Sequence, residues 1–247
     1  MQVWNRIQEK GSLLSDTIRV QIPGGGTTKE TDWYPFVMNF RADEGFSLWR
    51  REEGLRLTIL YNFPAFSLKK GCSRLYDSGS PYYNSFYGAY LVQRKNGLPY
   101  GFREDGSPDP EEIAAVAEYD YQVLVLGDFG CSSREFVFDW RLTGQQEGKA
   151  LAGYEDWTVC SADLTVSGAA HKKRSDCMSY LQYGEPEYGA QEDFAPVSMK
   201  GLLYGRWFPE RNVSVFFYVV AGNEEICRQW EQEILPQSRI AFPGDGD

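Results

Sequence analysis

The sequence predicts an α+β fold, predominantly antiparallel β-sheet with two or three helices packed on it. Three observations lead there. Apolar and polar residues alternate with period two in Thr17-Ile18-Arg19-Val20-Gln21-Ile22, and runs such as Leu55 to Tyr61 continue the strand texture. Short Gly-, Asn- or Pro-containing segments separate most of these runs, which favours a meander over parallel strands joined by helical crossovers. Capped helix starts occur after Asp109 and Asn223. With 247 residues, 42% of them hydrophobic and 15% aromatic, the chain has the apolar content for a substantial core. A chain of this length buries roughly three-quarters of its unfolded surface. Disordered, collagenous, coiled-coil and disulfide-dense architectures are excluded. The expected organisation is a lead-in over 1–15, one α+β domain over 16–242 and a polar tail over 243–247.

Taken in order, Thr17 to Ile22 alternates as a half-buried strand and is stopped by Pro23-Gly24-Gly25-Gly26. Tyr34 to Phe40, Phe46 to Trp49 and Leu55 to Asn62 carry further strand texture, with Gly45 and Gly54 as turns. Gly71 to Gly88 reads as a long loop rich in Ser, Gly and Tyr that runs into a strand over Ser85 to Gln93. Asp109 caps a short helix over Pro110 to Ala117, with Pro110 at its first position and Glu111 and Glu112 in its first turn. Tyr121 to Leu126, Glu135 to Trp140 and Trp157 to Val166 are strand candidates, and Ser167 to Met199 reads as a long loop. Gly201 to Trp207 and Val213 to Val220 form two strands, the second apolar enough for a central position. Asn223 caps a helix with Ile226, Trp230 and Ile234 on one face; a short strand over Ser238 to Phe242 follows.

The 25 Lys and Arg against 35 Asp and Glu give a formal net charge of −10, which argues against phosphate backbones and anionic lipids as partners. No segment approaches the roughly 20 apolar residues of a membrane-spanning helix. The N-terminus lacks the pattern of a secretory signal. An extracytoplasmic location with a signal or anchor removed is favoured over the cytoplasm, without being fixed by the sequence.

Catalytic chemistry is sparsely represented. The single histidine, His171, lies beside Lys172, Lys173 and Arg174, whose charges lower its pKa, and no triad or multi-histidine metal site can be built from it. Cys72, Cys131, Cys160, Cys177 and Cys227 contain no CxxC pair; a Cys160–Cys177 bridge and free buried thiols are both open. The Asp105 to Asp109 segment lacks calcium-loop spacing and reads as a turn, and Gly24-Gly25-Gly26-Thr27-Thr28 matches no phosphate-loop pattern. Paired acids for glycosidase-type work could come from Glu52, Glu118, Asp139 and Glu155. The expectation is therefore no cofactor, no metal and no assigned catalytic residue. Tyr76, Tyr82, Tyr83 and Tyr87 cluster in a polar segment, and the choice there lies between core packing and contact with a ligand or partner.

The ending Val213 to Val220, then the capped helix with Trp230 and Ile234, then Leu235-Pro236-Gln237-Ser238-Arg239-Ile240-Ala241-Phe242, resembles the closing strand–helix–strand of PsbP-like domains. The opening Ile18 to Pro23 resembles that family's first strand. The resemblance covers roughly 45 residues. It implies an antiparallel sheet backed by helices, in exported or lipid-anchored proteins with binding or assembly roles. The expected function is a non-catalytic accessory or binding domain that contacts a protein or glycan through aromatic loops. Two rivals are an acidic immunity or inhibitor protein with a basic partner, for which the acids of Glu104 to Asp120 should form one surface, and a carboxylate-based hydrolase.

Overall fold

The structure, a computed structural model, describes residues 17–24, 32–69, 72–122, 125, 137–168 and 195–243. A seven-stranded antiparallel sheet is its centre. The strands are β2 (Met38–Arg41), β3 (Leu55–Asn62), β6 (Phe86–Arg94), β7 (Phe138–Leu151), β8 (Tyr154–Ser167), β9 (Pro196–Phe208) and β10 (Val213–Ala221), in the spatial order β2-β3-β6-β10-β9-β8-β7. Two small ribbons flank it: β1 (Arg19–Gln21) pairs with β11 (Arg239–Ala241), and β4 (Phe66–Ser67) with β5 (Cys72–Ser73). The helices are α1 (Asp43–Arg50), α2 (Pro110–Tyr119) and α3 (Glu224–Gln229), the last continuing through a wide turn to Ile234.

Alternation along the strands divides the core between two faces. On the first, Leu57, Ile59 and Tyr61 of β3, Phe86 and Tyr90 of β6, and Phe216 and Tyr218 of β10 meet Phe46 of α1 and Ile113, Val116 and Tyr119 of α2. On the second, Leu60, Tyr87, Leu91, Phe217, Val219 and Trp157 meet Ile18 and Ile22 beside β1, together with Ile226, Trp230 and Ile234. β10 is buried at all nine of its positions because both faces are covered and β6 and β9 flank it. That is the central placement its β-branched and aromatic sequence predicts.

Two expected strands are helical instead. Phe46 to Trp49 lies inside α1. Asp43 and Glu44 occupy the first turn, the Asp43 carboxylate accepts the Leu57 amide proton at 2.9 Å, and Arg51 closes the helix in the left-handed region at φ 54. A four-residue apolar run does not distinguish the two periods, and the flanking acids and cap decide it. Gly45 is no turn either: a β-carbon there would meet the Tyr119 hydroxyl, so its absence lets α1 pack against α2. Tyr121 to Leu126 is the second expected strand, and residues 120–122 and 125 extend α2 in a wider turn. Packing of Tyr121 against Phe86 and Phe138, at centroid distances of 5.3 and 5.6 Å, overrides the β propensity of this run. The caps at Asp109 and Asn223 form as the sequence predicts, each side chain accepting amide protons of its helix.

Candidate functional site

The four tyrosines do not converge. Tyr76 packs on the first face and Tyr82 and Tyr87 on the second, all three buried, while half-buried Tyr83 leans on the first. The Tyr82 hydroxyl donates to Asp32 at 2.8 Å and the Tyr87 hydroxyl to the Pro23 carbonyl at 2.8 Å. Trp33 sits edge-on to both rings, 5.3 Å from Tyr82 and 4.9 Å from Tyr87. This is the core-packing alternative for Tyr76, Tyr82 and Tyr87: their rings fill the interior, and the Tyr82 and Tyr87 hydroxyls satisfy neighbouring acceptors.

A different group of tyrosines gathers around a buried acid. Asp120, at the C-terminal end of α2, is 0% exposed. It accepts from the Tyr61 hydroxyl of β3, from Tyr90 of β6 at 2.6 Å and from Tyr218 of β10 at 3.5 Å. The Tyr90 and Tyr218 rings stack at 4.2 Å. Gly88 makes the convergence possible, since it lies directly opposite Tyr61 on one side and Tyr218 on the other. A β-carbon there would collide with the Leu60 carbonyl and sit 2.7 Å from the Tyr218 hydroxyl. Burial pushes the Asp120 carboxyl up to about 7, against the opposing effect of the three phenol hydrogen bonds. Burial and the nearby carboxylate raise Tyr61, Tyr90 and Tyr218 well above the usual phenol range. The cluster can hold or release one proton near neutrality, and its burial confines that chemistry to the interior of the fold.

Not every acid of Glu104 to Asp120 reaches the surface. Asp120 is buried, Asp109 caps α2, and Asp105 accepts from Ser107 in the turn expected there. Glu112 binds Arg94 and accepts the Gly101 amide proton at 2.6 Å, and Glu104, Asp105 and Glu111 are the exposed acids of the run. Arg94 also holds Glu52 at 2.8 Å and lies 4.9 Å over the Tyr100 ring, fastening the end of β6 to both helical segments. Of the other candidate acids, Glu118 is half-buried on α2, Asp139 is exposed on β7 and Glu155 is exposed on β8. Cys72, Cys160 and Cys227 are buried, Cys160 and Cys227 as free thiols, and burial pushes Cys160 up to about 11 and Cys227 to about 12. His171 to Arg174, Cys131, Cys177 and the stretch 25–28 lie outside the described residues. No group of three or more His, Cys, Asp or Glu among the described residues is arranged to hold a metal ion, and no described helix is long and apolar enough to cross a membrane.

The sheet's two ends differ. One is β2, four residues long, whereas the other is β7, fourteen residues long and paired among the described residues with β8 alone. Thr143 to Gly148 are all exposed. The Ser167 amide donates to the Val137 carbonyl at 2.9 Å, which fixes the hydrogen-bonding phase of the hairpin. Asp139 and Arg141 therefore turn their amides toward β8, and Trp140 and Leu142 turn theirs outward. Pairing is regular from Phe138 to Leu142, and register shifts begin between Leu142 and Gly144.

Comparisons with known proteins return no matching family model, no matching curated protein and no matching solved structure.

Proposed function

We propose that this protein is a non-catalytic binding protein that receives a protein partner as an added strand along the outer edge of β7. The observation that carries this reading is the long terminal strand, with the Trp140 and Leu142 amides directed away from β8 and exposed side chains beyond them. An added strand gains affinity from main-chain hydrogen bonds and specificity from alternate side chains. The burial of Tyr76, Tyr82 and Tyr87 moves support from aromatic loops to this edge, and the closed environment of Asp120 gives no support to carboxylate hydrolysis.

A photo-crosslinking residue placed at Arg141 or Thr143, in the cells the protein comes from, tests the reading. Capture of a protein is expected at these positions and not from Arg41 on the opposite edge. Leu142→Pro removes an outward amide and should abolish capture, as should Trp140→Lys, which charges the edge. Thermal unfolding confirms that each variant is folded. Undiminished capture by both folded variants would overturn the proposal.

A further inference from the structure

The regular part of β7 is complementary to itself. In Phe138-Asp139-Trp140-Arg141-Leu142, a two-fold axis through Trp140 places Asp139 opposite Arg141 of the partner subunit and Arg141 opposite the partner subunit's Asp139. Phe138 faces the partner subunit's Leu142, apolar against apolar. The hydrogen-bonding phase agrees with this register. Trp140 turns its amide and carbonyl outward, so Trp140 and Trp140 of the partner subunit form a hydrogen-bonded pair, and the charged residues fall in the closer, non-hydrogen-bonded positions. Moving the axis to Asp139 or Arg141 keeps the hydrogen-bonding phase but sets Asp139 against Asp139 of the partner subunit, or Arg141 against the partner subunit's Arg141, so like charges meet face to face.

The charges are available for this pairing. Asp139 is exposed and makes no ion pair among the described residues. Arg141 reaches Asp163 at 2.8 Å with its side chain still 77% exposed, so it can turn to a second carboxylate. The register shifts that would spoil strand addition lie beyond Leu142.

Resting on the reading of β7 as a strand-receiving edge, we infer that the partner it receives is a second copy of this chain, joined antiparallel about a two-fold axis at Trp140. The association is isologous: each ion pair occurs twice, and a single substitution acts at both.

Sedimentation velocity of the full chain over a wide concentration range tests this, with charge reversal as the discriminating series. The unsubstituted chain should show a reversible monomer–dimer equilibrium. Asp139→Arg sets two guanidinium groups face to face at both pairs, Arg141→Asp does the same with two carboxylates, and each should weaken the dimer by roughly tenfold or more. The double variant Asp139→Arg with Arg141→Asp restores opposite charges and should recover most of the affinity. Both positions are exposed, and thermal unfolding confirms that each variant is folded. A chain that stays monomeric at every concentration, or dimers indifferent to the single reversals, would overturn the inference. If such a chain still yields a β7 crosslink to a different protein, only the identity of the partner fails; if crosslinking fails too, the strand-receiving edge fails with it.

Discussion

The two ends of the sheet are built for opposite purposes. The end containing β2, β3 and β6 is covered by α1 and α2, and from Leu57 to Asn62 every β3 position is buried. The end formed by β7 has charged and glycine residues at its surface, and its strand is interrupted by register shifts. Both arise from similar alternation in the sequence. What separates them is what lies across: two helices and two neighbouring strands cover β3, whereas β7 has β8 as its one strand neighbour among the described residues and meets the core through Phe138 and Trp140 at its start. The covered end carries the larger share of the core, and the stretch Thr143 to Gly148 of the open end is exposed.

The largest expected effect comes from hollowing the covered region. Phe216 of β10 is fully buried and stacks on Phe102 at 5.7 Å. Phe216→Ala should destabilise the protein by about 3–5 kcal/mol in a denaturant titration. A loss comparable to that of a surface substitution would show that the first face is loosely packed.

Asp120 sharpens the contrast through pH. Its folded-state carboxyl, at about 7, lies above its unfolded value near 3.8, so the native state binds the proton more tightly between those limits. Stability should therefore fall as pH rises from about 4 to about 7 and level off above, by roughly 4 kcal/mol in total from this group. Asp120→Asn keeps the shape and removes the charge. It should match the parent near pH 4, lack the decline, and be the more stable protein at pH 8. A variant less stable than its parent at pH 8 would show that the phenols hold the carboxylate better than they hold a neutral group.

Smaller effects follow in order. Arg94→Met leaves Glu52 and Glu112 without their common partner, with Arg94 only 13% and Glu112 16% exposed, and should cost about 2–3 kcal/mol. Asn223→Ala removes the acceptor for the Ile226 amide at 3.0 Å and should cost about 1 kcal/mol. On β7, Asp139→Asn should change monomer stability by no more than about 0.5 kcal/mol. A large loss there would mean that the open end also supports the fold.

The strands of the covered region were legible because the apolar, β-branched and aromatic runs Leu55 to Tyr61 and Val213 to Val220 are long and bounded by turn residues. The caps at Asp109 and Asn223 were legible for a local reason, since each side chain bonds amides within its own first turn. Phe46 to Trp49 and Tyr121 to Leu126 misled because tertiary neighbours, not period, set their conformation. The Asp120 cluster has no linear motif: its members come from three strands and a helix end. Its only trace was Gly88, a glycine inside a strand that also carries Phe86, Tyr87 and Tyr90, where close approach is the usual reason. The β7 edge was hidden for another reason. Pairing order is a property of the whole sheet, and the sequence from Phe138 onward bore no sign that it forms an edge strand.

Amide hydrogen exchange of the dilute monomer tests the division between the two ends most directly. The amides of β6 and β10 should exchange only through global unfolding, whereas the outward amides of Trp140 and Leu142 should exchange almost as fast as an unfolded chain. Trp140 and Leu142 amides as strongly protected as those of β10 would mean that the β7 edge is already covered within the monomer, and would contradict its assignment as the surface that receives a partner.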